Sequence, residues 1–79
     1  MKPSIGRIVL VPMKTDHNNG APVAPAVVTR VWSDTMVNVR VLADSGETPA
    51  WRTSCTFAKS LDDATGNQAV WTWPQKVKE

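Results

Sequence analysis

The sequence predicts an all-β fold: a small five-stranded antiparallel barrel of SH3-like plan, or an open meander of the same strands. Three observations carry this. Val37, Val39 and Val41 alternate with Asn38 and Arg40, the period of a strand with one dry face and one wet face. Clusters of turn residues, Asp16-His17-Asn18-Asn19-Gly20, Ser33-Asp34-Thr35 and Asp44-Ser45-Gly46-Glu47, cut the chain into short segments. No segment shows convincing helical periodicity. Seventy-nine residues make one domain, 1–79, with a charged tail at 75–79 that should fray. An OB-like barrel is the alternative, though such barrels usually run longer.

Each element follows in order. Gly6 to Met13 is an apolar first strand, followed by a polar loop from Lys14 to Ala24. Pro25 to Trp32 forms the second strand and Met36 to Leu42 the third; the short Ser33-Asp34-Thr35 link makes them an antiparallel hairpin. If Val27, Thr29 and Val31 share the core with Val37, Val39 and Val41, the opposite face carries Val28, Arg30, Trp32, Met36, Asn38 and Arg40. Ala50 to Phe57 is the fourth strand. There Trp51, Thr53, Cys55 and Phe57 share one face, and Trp51 and Phe57 should enter the core. Lys59 to Gln68 is polar, with room for one helical turn, and Ala69 to Trp73 is the fifth strand, ended by Pro74. There are no internal repeats, low-complexity segments or linkers.

Composition narrows the function classes. A net charge of +2 with dispersed basic residues suits a small anionic ligand and disfavours a duplex binder, which needs clustered cations. One cysteine and one histidine allow neither an intrachain disulfide nor a His/Cys zinc cluster within one chain. A domain of this size buries roughly 60% of its unfolded surface. With no covalent staple, a homo-oligomer is the expectation. The start, Met1-Lys2-Pro3-Ser4, lacks a signal-peptide pattern, and the apolar run Ile8–Met13 is too short to span a bilayer. A soluble intracellular protein without membrane attachment is therefore expected.

Catalytic chemistry finds no support in the residues. Asp62 and Asp63 are adjacent and would diverge on regular structure, His17 has no nominated partner, and Cys55 reads as a small buried hydrophobe. No glycine-rich phosphate loop is present. A non-enzyme without cofactor or metal is the reading.

Binding chemistry is better represented. The four tryptophans, Trp32, Trp51, Trp71 and Trp73, supply most of the aromatic surface in a chain with no tyrosine and one phenylalanine. Indoles stack on bases, and guanidiniums pair with phosphates. The strand face bearing Arg30, Trp32, Asn38 and Arg40, with Arg7 and Arg52 available to the same anion, is the candidate ligand surface. Trp51, Trp71 and Trp73 are read as core or interface residues. A protein-binding module, in which the same indoles anchor a partner, and a nucleic-acid-binding SH3-like domain are the alternatives.

Ser4-Ile5-Gly6-Arg7-Ile8-Val9, Ala26-Val27-Val28-Thr29-Arg30-Val31 and Trp71-Thr72-Trp73-Pro74, in that order, resemble a widespread group of small tailed-phage proteins that open with Gly-Arg-Ile-Val and close with Trp-x-Trp-Pro. The resemblance spans nearly the whole chain, and its last anchor is the most specific. It implies a phage origin and a role in the cytoplasm of an infected bacterium. Phages make small oligomeric sponges that sequester the cyclic di- and oligonucleotide signals of bacterial defence. A homo-oligomer of that kind, or an inhibitor of a host protein, is what the resemblance leads one to expect. It transfers no ligand residues position by position.

Overall fold

The computed structural model describes residues 2–46, 50–63 and 69–75. Glu47, the Gly66-Asn67 pair and tail residues 76–79 lie outside them. Among the described residues the fold is all-β, as the alternation requires. Its strands are β1 (Ile8–Pro12), β2 (Val23–Val31), β3 (Met36–Val41), β4 (Ala50–Phe57) and β5 (Val70–Trp71), in the order β1-β2-β3-β4-β5. Short 3-10 turns at Thr15–His17 and Leu61–Asp63 interrupt the connections before β2 and β5.

One correction concerns direction. The first three pairings are antiparallel, but β5 runs parallel to β4, pairing Val70 with Thr56 and Trp71 with Phe57. A parallel pair needs a long crossover, and the chain between Phe57 and Val70 is long enough for one. β5 then reaches back to β1: Leu10 and Thr72 exchange two backbone hydrogen bonds of 2.8 and 2.9 Å. The five-stranded sheet is thus mixed and nearly closed into a small barrel.

The core is narrow and mostly valine: Val9, Val11, Val28, Val37, Val39 and Val41, with Ala24, Ala26, Cys55 and Trp71. β-branched side chains pack well on a pleated surface, so the sequence fills a thin barrel without large residues. Trp71 is the one large buried aromatic, 1% exposed, and its indole N–H donates to the Thr35 carbonyl at 3.0 Å. Phe57 and Trp73 meet it edge to face, each with ring centroids 5.1 Å away.

Two face assignments made from strict alternation are overturned. On β2, Val28 is fully buried, whereas Val27 is half-buried and Thr29 exposed. The register shifts between Val28 and Arg30, so Thr29 is an extra residue and Val31 returns to the core side. On β4, the register shifts opposite Asn38, which places Trp51 and Cys55 on opposite faces. Trp51 is 53% exposed and Phe57 38% exposed, so neither fills the core as expected.

Two loops are tied together by a buried asparagine. Asn18 donates through Nδ2 to the carbonyls of Ala21 (2.8 Å) and Val23 (3.0 Å), and its Oδ1 accepts the Asp44 amide (2.6 Å). The β1–β2 loop is thereby fastened to the turn after β3.

Candidate ligand surface on the outer sheet face

Asn38 organises this surface. It stands on the outer side of β3, yet only 6% of it is exposed, because its neighbours close over it. Its Oδ1 accepts three hydrogen bonds: from the Ser54 amide at 2.9 Å, the Thr53 hydroxyl at 3.1 Å and the Trp32 indole N–H at 2.9 Å. Ser54 sits at φ +56, the left-handed region that a residue with a Cβ enters at some cost. The Asn38 acceptor offsets that cost by satisfying the amide the bulge would otherwise orphan. Asn38 therefore has its oxygen committed and serves to hold Trp32 and the β4 bulge.

Trp32 follows the end of β2 and is about half exposed. Its ring is fixed at the nitrogen by Asn38, and the Arg30 guanidinium lies over it, 4.1 Å from the ring centroid. A stacked guanidinium keeps its in-plane N–H groups available. Among the described residues, no carboxylate pairs with Arg30.

Arg40 is exposed and lies directly opposite Trp51 across β3 and β4. Directly opposed residues share a face with Cβ atoms roughly 5 Å apart. The same row continues through Val27 on β2 to Ile8 on β1. Arg30 stacked on Trp32, and Arg40 opposite Trp51, thus lie on one outer face. Exposed Ile8 and Leu42 flank them.

The remaining predicted residues lie elsewhere. Arg7 stacks over Trp73, 5.6 Å from its centroid, beside the aromatic ladder of Trp71 and Phe57. Trp73 is half-buried against the core, and a shallow pocket of about 280 Å³ opens there between Asp34, Thr35, Phe57, Trp71 and Trp73. Arg52 points away from the outer face. It donates to the Pro12 carbonyl at 2.8 Å and contacts the Met13 sulfur at 3.3 Å, linking β4 to the end of β1. Burial lowers its pKa, an effect partly countered by Cys55. Arg7 and Arg52 are therefore not gathered with Arg30 and Arg40.

Cys55 is buried, and desolvation pushes its thiol pKa up, with Arg52 opposing. That is the reverse of what a nucleophilic thiolate needs. His17 is exposed in its loop, near Asp16 at 3.8 Å. Among the described residues no three His, Cys, Asp or Glu side chains gather to hold a metal, and no helix is long and apolar enough to cross a membrane.

The sequence reading missed a groove beside Arg30, lined by Pro3, Ser4, Ile5, Thr29, Arg30 and Val31, with a volume of about 570 Å³. The Gly6 that precedes β1 was the available signal, since a glycine there permits a tight turn. Compared with protein-family models, curated proteins and solved structures, the chain finds a match in none of the three.

Proposed function

We propose that this chain is a non-catalytic binding protein that sequesters a cyclic di- or oligonucleotide signal, acting as a homo-oligomer in the cytoplasm of a phage-infected bacterium. The observation that carries the reading is the Arg30–Trp32 couple. A guanidinium 4.1 Å above an exposed indole, with no acidic partner among the described residues, is preorganised for a ligand that is planar and anionic together. Nucleotides are such ligands: bases stack on indoles and phosphates take bidentate arginine pairs. Arg40 and Trp51 add a second guanidinium and a second exposed indole one row away on the same face. Two copies related by a two-fold axis would present these groups symmetrically to a cyclic dinucleotide, itself two-fold.

Native mass spectrometry of the protein with a panel of cyclic di- and trinucleotides tests the reading. The expected result is an oligomer that gains one ligand mass per pair of chains, and loses it when Arg30 or Trp32 is replaced. A species whose mass no member of the panel changes sinks the proposal.

A second reading, a module that docks on and inhibits a host protein, draws on a different observation. Ile8, Leu42 and Trp51 are each 40% or more exposed on the outer side of the barrel. Apolar residues in such a position commonly mark a protein contact. Recovery of one stoichiometric host protein on immobilised wild type, abolished by Trp51→Glu, is its expected signature.

A further inference from the structure

We propose that the groove between the Pro3–Ile5 segment and the end of β2 is a phosphate subsite. In it the Arg30 guanidinium and the Ser4 and Thr29 hydroxyls hold a phosphate or phosphodiester, while Ile5 and Val31 take the adjoining apolar part of the ligand. The inference rests on the ligand-sequestering reading and adds where the phosphate sits.

Two local irregularities build this groove. The first is a turn: Arg7 N–H donates to the Ser4 carbonyl at 3.1 Å, and Gly6 sits at φ +92, the left-handed third position of a type II turn. The turn brings Ser4 and Ile5 beside β2. That wall is fixed in place. Pro3 is buried, the Gly6 amide donates to the Val28 carbonyl at 2.8 Å, and the Val28 amide donates to the Arg7 carbonyl at 2.9 Å. The second irregularity is the β2 bulge. On a regular strand Thr29 and Arg30 would face opposite sides. With the register shifted at this point, both are exposed and both line the groove.

The resulting donor set suits one ligand class. The flat face of Arg30 rests on Trp32, which leaves its N–H edge for a bidentate contact. Neither the Ser4 nor the Thr29 hydroxyl has a partner among the described residues. Among the described residues no carboxylate lines the groove. Charge-assisted donors with no competing acid favour an oxyanion. The groove is open to one side, and its volume of about 570 Å³ leaves room for a phosphate and the group attached to it. Ile5, 71% exposed, gains from being covered by the rest of the ligand.

The test is a titration of amide chemical shifts in the full-length protein with inorganic phosphate, with adenosine 5′-monophosphate, and with adenosine as the uncharged control. Phosphate and the monophosphate are expected to move the Ser4, Ile5, Thr29 and Arg30 amides, and adenosine to leave them in place. Arg30→Met should weaken binding of the monophosphate about tenfold or more and Thr29→Val several-fold, as loss of charged and neutral donors implies. Lys14→Met, in the β1–β2 loop, should match wild type. Shifts confined to other residues, or Arg30→Met and Thr29→Val binding like wild type, overturn the groove. A cyclic dinucleotide that Arg30→Met loses but that Ser4→Ala and Thr29→Val bind as tightly as wild type also overturns the groove, while leaving the sequestering function standing. Phosphate bound here by a protein that takes up no cyclic nucleotide supports the groove and removes the sponge.

Discussion

Replacing Asn38 with leucine keeps the volume of the side chain and removes its acceptor. The wild-type Oδ1 receives the Ser54 amide, the Thr53 hydroxyl and the Trp32 indole N–H at 2.9–3.1 Å. A net hydrogen bond contributes about 0.5–1.5 kcal/mol, and an orphaned donor costs about 1–3 kcal/mol when water cannot reach it. Thr53 and Trp32 are exposed and can turn to solvent, so each should sit at the low end of that range. The Ser54 amide is held by the bulge backbone at φ +56 and cannot rotate to another acceptor as a side chain can, so it sits at the high end. Together these give a loss of about 2–3 kcal/mol, or a fall in Tm of about 10–20 °C for a domain of this size. Urea unfolding, with the slope checked for constancy, measures the loss. The indole N–H resonance of Trp32 should move independently of the other three. Asn38→Asp, which keeps an acceptor, should recover most of the stability near neutral pH. A cost below about 0.5 kcal/mol for Asn38→Leu, the ordinary value for a surface substitution, with the Trp32 resonance in place, would refute the hub argument.

Three further outcomes follow from burial and bonding. Trp71→Ala should cost about 3–5 kcal/mol, the range for emptying a large core aromatic, while Trp51→Ala should stay within about 1 kcal/mol because half of that ring is already wet; paired denaturation curves separate them, and equal costs contradict the two placements. Asn18→Ala should cost about 2–3 kcal/mol and raise amide exchange in both loops at once, since three hydrogen bonds join them through one side chain; exchange rising in the β1–β2 loop alone argues against the cross-tie. Cys55 has a folded pKa above its ordinary value, so as pH rises the unfolded thiol ionises first. Its contribution is therefore full below about pH 8.5 and is lost as pH climbs through the folded value. Subtracting the Cys55→Ala stability curve from wild type should expose that slope, undisturbed by phenols in a chain without tyrosine; a difference that stays flat to pH 10 contradicts it.

Much of the barrel was legible because its strands are regular where the core is. Val37, Val39 and Val41 point inward as their alternation demands, and the Ser33-Asp34-Thr35 link does close a hairpin, with the Ser33 hydroxyl accepting the Met36 amide at 3.1 Å. Three features were not legible, each for a physical reason. The direction of β5 depends on where a long crossover lands, and no local pattern in Val70-Trp71 encodes it. Trp51 looked like core because a large indole on a strand usually buries itself, yet the thin valine-filled barrel has room for one indole, and Trp71 occupies it. Arg52 looked like a surface cation, but its guanidinium reaches across to the Pro12 carbonyl. Arg30, Trp32 and Asn38 were grouped on one face, as they are in the fold, although Asn38 supports the surface beneath Trp32.

The places where alternation fails have a common centre. The extra residue on β2 is Thr29, between the pairs Val28–Val39 and Arg30–Asn38, and the extra residue on β4 falls between Val39–Arg52 and Val37–Cys55. Both insertions therefore flank Asn38, one on each neighbouring strand. A bulge bends its strand and re-aims its side chains, and costs ladder hydrogen bonds that must be replaced. Here the replacement on the β4 side is the Asn38 side chain itself, and the gain on the β2 side is Thr29 and Arg30 exposed side by side. A sheet selected for stability alone would keep Asn38 as one more wet residue between two regular strands. The double interruption instead produces a held indole, a guanidinium stacked on it with no acidic partner among the described residues, and a groove within a few residues of one another. Local rules broken together at one position, with the compensation built in, are the pattern expected at a functional or strained site.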